Sequence, residues 1–129
     1  MDADICPDAR PDNLERLAAV LREVGARIRT PDVPEGLPFQ CDARFLGGMR
    51  LLNLVTRFGD LDLSFVPAGT NGFDDLRRGA VGMQIKEQTV LVAALVDVIR
   101  SKEAANRPKD RRTLPVLRQL LEEIRRRQG

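Results

Sequence analysis

The sequence predicts a mixed α/β domain, of the α+β kind with a mixed sheet, and three observations carry that expectation. Stretches in which apolar and charged residues alternate, such as Leu61-Asp62-Leu63-Ser64-Phe65, have the period of a half-buried strand. Stretches with apolar residues three and four apart, such as Leu14, Leu17, Ala18, Leu21 and Val24, have the period of an amphipathic helix. The two kinds interleave along a chain of 129 residues that contains no repeat and no low-complexity tract. One domain over residues 1–129 is expected, with a mixed sheet and one packed helix in 1–92 and two helices in 93–129.

Taken in order, residues 2–5 read as a short strand, with Ile5 pointing into the core. Residues 11–24 read as a helix that Pro11 and Asp12 open, Glu15 supports in its first turn and Gly25 stops. Residues 26–30 alternate apolar with charged and read as a strand; Pro31, Pro34, Gly36 and Pro38 then mark a loop. Residues 48–66 read as an antiparallel hairpin turning at Phe58-Gly59-Asp60, with Asp62 facing opposite to its apolar neighbours. Residues 67–72 are turn-rich, 74–78 read as a short helix, 80–85 and 89–92 as a second pair of strands, and 95–105 as a helix. The last helix covers about 108–127 with Leu114, Leu117, Leu121 and Ile124 as its buried stripe, and Pro115 is expected to kink it or to mark a fresh start capped by Thr113.

Composition narrows the chemistry. The chain is 43% hydrophobic and 31% charged, an ordinary globular balance, and has no His, Trp or Tyr. Without histidine there is no His-dependent triad, no His-ligated zinc or haem, and no imidazole base near neutral pH. Chemistry is left to carboxylates, Lys, Arg, Ser, Thr and the backbone. Cys6 and Cys41 form no CxxC and read as reduced packing residues of a cytoplasmic protein. The longest apolar run, residues 90–96, is far short of the ~20 residues that span a bilayer, so no membrane role is expected. Net charge is +2, but residues 1–99 carry 11 basic and 15 acidic side chains while residues 100–129 carry 10 and 4. That basic end is a candidate for polyanion contact, although Arg125-Arg126-Arg127 also suits a solvated helix C-terminus opposing the helix dipole.

The carboxylates supply the sharper hypothesis. In a strand, Asp2 and Asp4 project from one face, and two adjacent carboxylates repel unless a cation lies between them. Mg²⁺ takes such oxygen ligands and keeps water and phosphate in the rest of its shell. Asp62, between two leucines, emerges on the polar face of its own strand and is the best third carboxylate. Asp60 sits in a turn, where Asp is common for backbone reasons. Gly69-Thr70-Asn71-Gly72 lacks the Lys-Ser/Thr of a P-loop and reads as a turn.

Four segments in this order carry a resemblance: Asp2-Ala3-Asp4-Ile5; Pro11-Asp12-Asn13-Leu14-Glu15-Arg16-Leu17; Thr56-Arg57-Phe58-Gly59-Asp60-Leu61-Asp62-Leu63; and residues 99–110 with Lys102, Arg107, Lys109 and Asp110. Over about residues 2–121 the chain resembles the bacterial minimal nucleotidyltransferases of the polymerase-β superfamily, relatives of abortive-infection toxin enzymes included. The resemblance implies a nucleotidyltransferase-like fold, with Asp2, Asp4 and Asp62 holding Mg²⁺ and Asp62 assisting the attacking hydroxyl. It implies transfer of a nucleoside monophosphate from a nucleoside triphosphate to a hydroxyl on protein or RNA, with release of pyrophosphate. It places Lys102 near the triphosphate, and Arg107 and Lys109 join it as phosphate-binding candidates. Asp110 is expected to pair with Arg107 or to cap the last helix; where similar proteins carry a further acidic residue, this chain has Thr113. An antitoxin or a second copy of the chain is an implied partner.

The same resemblance implies a helix and a Gly-Ser turn ahead of the first strand, and here Asp2 directly follows Met1. The expectation is therefore an N-terminally truncated form that is weakly active or inactive, because backbone donors in that turn grip the triphosphate. Two other classes stand beside the enzyme. One is a non-catalytic module that binds a partner or nucleotide; the other is an RNA-binding protein using the basic C-terminal helices, limited by five scattered Phe and no Tyr or Trp for stacking.

Overall fold

In a computed structural model that describes residues 2–128, excluding the side chain of Asp2, the chain is a mixed α/β protein with a mixed sheet and five helices among the described residues. Contacts divide it into two compact units, Met1–Val66 and Pro67–Gly129. The division thus falls ahead of the second hairpin, where the sequence reading draws it after residue 92.

The first unit runs β1 (Asp2–Ile5), α1 (Pro11–Glu23), β2 (Arg27–Thr30), β3 (Val33–Leu37), α2 (Ala43–Gly47), β4 (Leu51–Thr56) and β5 (Gly59–Ser64). Its strands form one sheet in the order β1-β5-β4-β2-β3. β1 and β5 are parallel and the other pairs antiparallel. Such a parallel pair needs a long crossover, and α1 lies within it. Pro11 opens α1 at a position where no amide donor is needed, and Leu14, Ala18 and Leu21 form its buried stripe. They pack with Leu46, Leu52, Leu54, Leu63 and Phe65, and Ile28 and Leu61 lie against this core. Each fully buried leucine contributes about 2 kcal/mol.

Strand alternation fixes what the opposite face holds. Leu52 and Leu54 of β4 and Leu61 and Leu63 of β5 pair across the hairpin on the core side, so Asn53, Asp60 and Asp62 emerge on the other. On β2, Ile28 pairs with Leu54 and Arg27 with Val55, which puts Arg27 and Arg29 on that same polar face.

Several expectations are corrected. Ile5 is not in the core: it pairs with Leu63 at the sheet edge, outside the cover of the α1 stripe, and is 44% exposed. The proline and glycine cluster after β2 contains strand β3, because an edge strand tolerates Pro34. There Gly36 has φ 84°, and a Cβ on it would lie 2.7 Å from that of Arg27, so the strands approach too closely for another residue. Helix α2 has no apolar period to announce it; Asp42 caps it by accepting from the amide of Phe45 at 2.8 Å. The β4–β5 turn is at Arg57 and Phe58, one residue earlier than expected.

The second unit runs α3 (Phe73–Gly79), β6 (Val81–Ile85), β7 (Gln88–Val92), α4 (Leu95–Ala105) and α5 (Pro108–Gln128). β6 and β7 pair only with each other, as a separate two-stranded sheet, rather than extending the five-stranded one. Residues 67–72 form the expected turn, with the Thr70 amide donating to the Pro67 carbonyl at 3.0 Å. Pro115 lies inside one continuous α5 and does not start a new helix, and Thr113 does not cap one: its hydroxyl donates to the Lys109 carbonyl one turn back, at 2.8 Å. Leu114 is buried and Leu117 and Leu121 half-buried, but Ile124 is exposed, because the stripe runs past the end of the shorter α4. Among the described residues no helix is long and apolar enough to cross a membrane.

Candidate metal centre

Parallel pairing of β1 with β5 places Asp4 opposite Asp62 and Asp2 opposite Asp60. Directly paired residues share a sheet face, and neighbouring strands lie about 4.8 Å apart. Asp4, Asp60 and Asp62 thus stand on the polar face, away from the α1 stripe. The Asp2 side chain, assigned to the metal by the sequence, lies outside the described part of the structure. Asp60 becomes a member of the row because the turn ends before it and Val55 of β4 pairs with it.

The row already holds a cation. Arg29 reaches over from β2, two places away in the sheet, and its two terminal nitrogens divide between the acids: Nη1 lies 3.2 Å from Asp60 Oδ2 and Nη2 2.5 Å from Asp62 Oδ1. Nη1 also donates to the Leu54 carbonyl at 3.3 Å. All three side chains stay partly open to water, at 31% for Arg29, 41% for Asp60 and 30% for Asp62. Asp4 is exposed and makes no ion pair among the described residues. The sequence reading passed over Arg29, and its signal was there: Arg27-Ile28-Arg29 alternates with the same period as Asp60-Leu61-Asp62.

Hard carboxylate oxygens on a face that water reaches suit a divalent cation such as Mg²⁺. Asp4 and Asp62 supply them here, with Asp60 alongside. Among the described residues no three acidic or thiol side chains converge on one metal position.

The phosphate-binding candidates lie in the second unit and converge on a different acid. Asp110 is completely buried. Arg107 grips it through Nε at 2.7 Å and Nη2 at 3.1 Å, while the Arg107 amide donates to the same carboxylate at 3.1 Å. This is the acidic half of a capping box: Arg107 precedes Pro108 at the start of α5, and Asp110 folds back three residues to the free amide. Both sequence expectations for Asp110, a partner for Arg107 and a cap, hold at once. Lys102 adds its ammonium at 3.6 Å. Chiefly through the Arg107 hydrogen bonds, which outweigh the opposing push of burial, the Asp110 carboxyl is held down at about 2. Lys109 is exposed. Arg126 and Arg127 pair with Glu123 on the surface of α5.

A second acidic position lies in the first turn of α3. Asp75 accepts from the Asn71 amide at 2.8 Å and binds Arg100, and these bonds lower its pKa. The contacts tie the Gly69-to-Gly72 turn to α4, which is a structural use for residues that superficially resemble a phosphate loop. Both cysteines are free and half-buried, and burial pushes both thiols up, away from the reactive thiolate.

In comparisons with family models, curated proteins and solved structures, none matches this chain.

Proposed function

We propose that the first unit is a metal-binding nucleotidyltransferase-like platform, with Asp2, Asp4 and Asp62 as the residues that hold Mg²⁺. The observation that supports the reading most is register. Asp4 stands opposite Asp62 on adjacent parallel strands, on the sheet face that the α1 stripe leaves open. Two acids separated by 58 positions in sequence are brought side by side on one face there. A divalent cation, when bound, would neutralise phosphate charge and favour in-line displacement at phosphorus.

The chain's own side chains carry the remaining roles in this reading. The acceptor hydroxyl oxygen forms a bond to the α-phosphorus of a nucleoside triphosphate, the bond from that phosphorus to the bridging oxygen breaks, and pyrophosphate leaves with its electrons. Asp62 accepts the hydroxyl proton. Lys102, Arg107 and Lys109, all in the second unit, are the phosphate-binding candidates of this reading, and Asp110 holds two of them, Lys102 and Arg107, beside the start of α5. An exposed, flexible Lys109 suits a point-charge contact with phosphate.

A second reading, a non-catalytic module that binds nucleotide or a partner, is favoured by one observation: Arg29 already bridges Asp60 and Asp62. The test combines binding with turnover. With Mg²⁺ and each of the four nucleoside triphosphates, wild type is expected to bind nucleotide and to release pyrophosphate at most slowly, and Asp62→Asn to lose whatever release there is. Binding without turnover selects the module. Turnover that survives Asp62→Asn sinks the assigned site.

A further inference from the structure

Arg29 is the only cation that the described ion pairs place among the acids of the polar face, and its attachment is unusual in reach. Its backbone is on β2, separated by the whole of β4 from the acids on β5. Strands spaced about 4.8 Å apart put roughly 10 Å between those backbones, so the side chain lies extended across β4. Holding a long side chain extended costs rotamer entropy, and ion pairs that stay a third exposed return little to offset it. Nor, among the described ion pairs, does the guanidinium fork onto one carboxylate: it gives one nitrogen to each of two acids. It therefore sits where a small, doubly charged ion would draw the same two oxygens together more strongly.

We infer that Arg29 is a built-in stand-in for the divalent cation, holding the acidic row together without metal, and that it must release Asp62 before the metal binds. The inference rests on the reading of the row as a metal platform and adds its regulation: metal affinity is set by competition with an arginine of the same sheet. Asp62 Oδ1 cannot accept Nη2 of Arg29 and ligate a cation with the same lone pair, and a cation on the other oxygen would be repelled by the guanidinium charge beside it. Freed from Asp62, Arg29 has solvent beside it, since its side chain is 31% exposed, and the Leu54 carbonyl remains within its reach.

Direct binding of Mn²⁺ alone, followed by loss of the free-ion paramagnetic resonance signal and reversed by Mg²⁺, tests this without any turnover. Arg29→Gln should bind about tenfold more tightly than wild type. Arg29→Lys separates displacement from simple charge, because a single ammonium keeps the charge but cannot bridge both acids; it should also bind more tightly than wild type, by a smaller factor. Asp62→Asn should abolish binding in either background. Far-UV circular dichroism checks that each variant is folded, and Arg29→Lys carries the comparison if Arg29→Gln is not.

Arg29→Lys binding as weakly as wild type while Arg29→Gln binds tightly overturns displacement in favour of through-space charge. Equal affinity in all three, with Asp62→Asn still abolishing it, overturns any role for Arg29 and leaves the metal platform standing. No Mn²⁺ bound by wild type, Arg29→Gln or Arg29→Lys overturns the platform and the inference together.

Discussion

Arg29 and Arg107 both bind aspartate, yet the two sites are built on opposite plans. Arg107 is three residues from its partner, commits two nitrogens and its own amide to one carboxylate, and faces an acid from which water is excluded. Arg29 is more than thirty residues from its partners, gives one nitrogen to each of two acids, and all three groups meet water. Local contacts to a buried acid make a fastening. Remote, shared and wet ones make the contact that is proposed to give way to another cation. The first kind suits the N-terminus of a 21-residue helix, which must stay put; the second suits a face proposed to exchange ligands.

The largest expected effect is at the fastening. Asp110→Asn removes the charge from hydrogen bonds that no water can replace, and should cost about 2 kcal/mol of stability, which lowers the thermal midpoint by several degrees. A midpoint unchanged in calorimetry would erase the distinction between the two sites. The same contrast is expected in pH. Because the Asp110 carboxyl is held at about 2, below the ordinary 3.8, its contribution is complete above about pH 5 and disappears as pH falls through 2. The stability gap between wild type and Asp110→Asn, measured by urea unfolding, should be flat from pH 7 to about 5 and close on further acidification. A gap that persists undiminished at about pH 2 would remove the ion pair as its cause.

At the exchangeable site the effect on stability should be smaller. Asp62→Asn is expected to change unfolding free energy by no more than about 1 kcal/mol, since the pair is partly exposed, while it removes divalent binding. A loss as large as that of Asp110→Asn would make Asp62 a fastening too. At the bottom of the scale, Arg126→Ala breaks an exposed pair with Glu123 one turn away and should leave the thermal midpoint where it was. A clear drop there would show that exposure is a poor guide in this chain.

The local half of this contrast was legible in the sequence. Pro108 followed by Asp110 marks a helix start, and Arg107 lies within reach of Asp110 by spacing alone, so pairing and capping could both be expected. The β1 strand and α4 fall where the sequence puts them, and α1 starts at the expected Pro11, because each carries its own period and boundary residues. Strand β3 and helix α2 were not legible. One depends on an edge position that tolerates proline, and the other on a single capping carboxylate over five residues.

Alternation in Asp60-Leu61-Asp62 determined that the acids would leave the core on the side opposite their leucines, and alternation in Arg27-Ile28-Arg29 did the same for the arginines. That parity is a property of the strand itself. Only the tertiary structure decided that β1 lies parallel beside β5 with Asp4 opposite Asp62, that Ile5 lies outside the core, and that Arg29 crosses β4 to reach both acids. Strand order and register are set by how the whole sheet closes over α1 and the leucine core, and no local period encodes them.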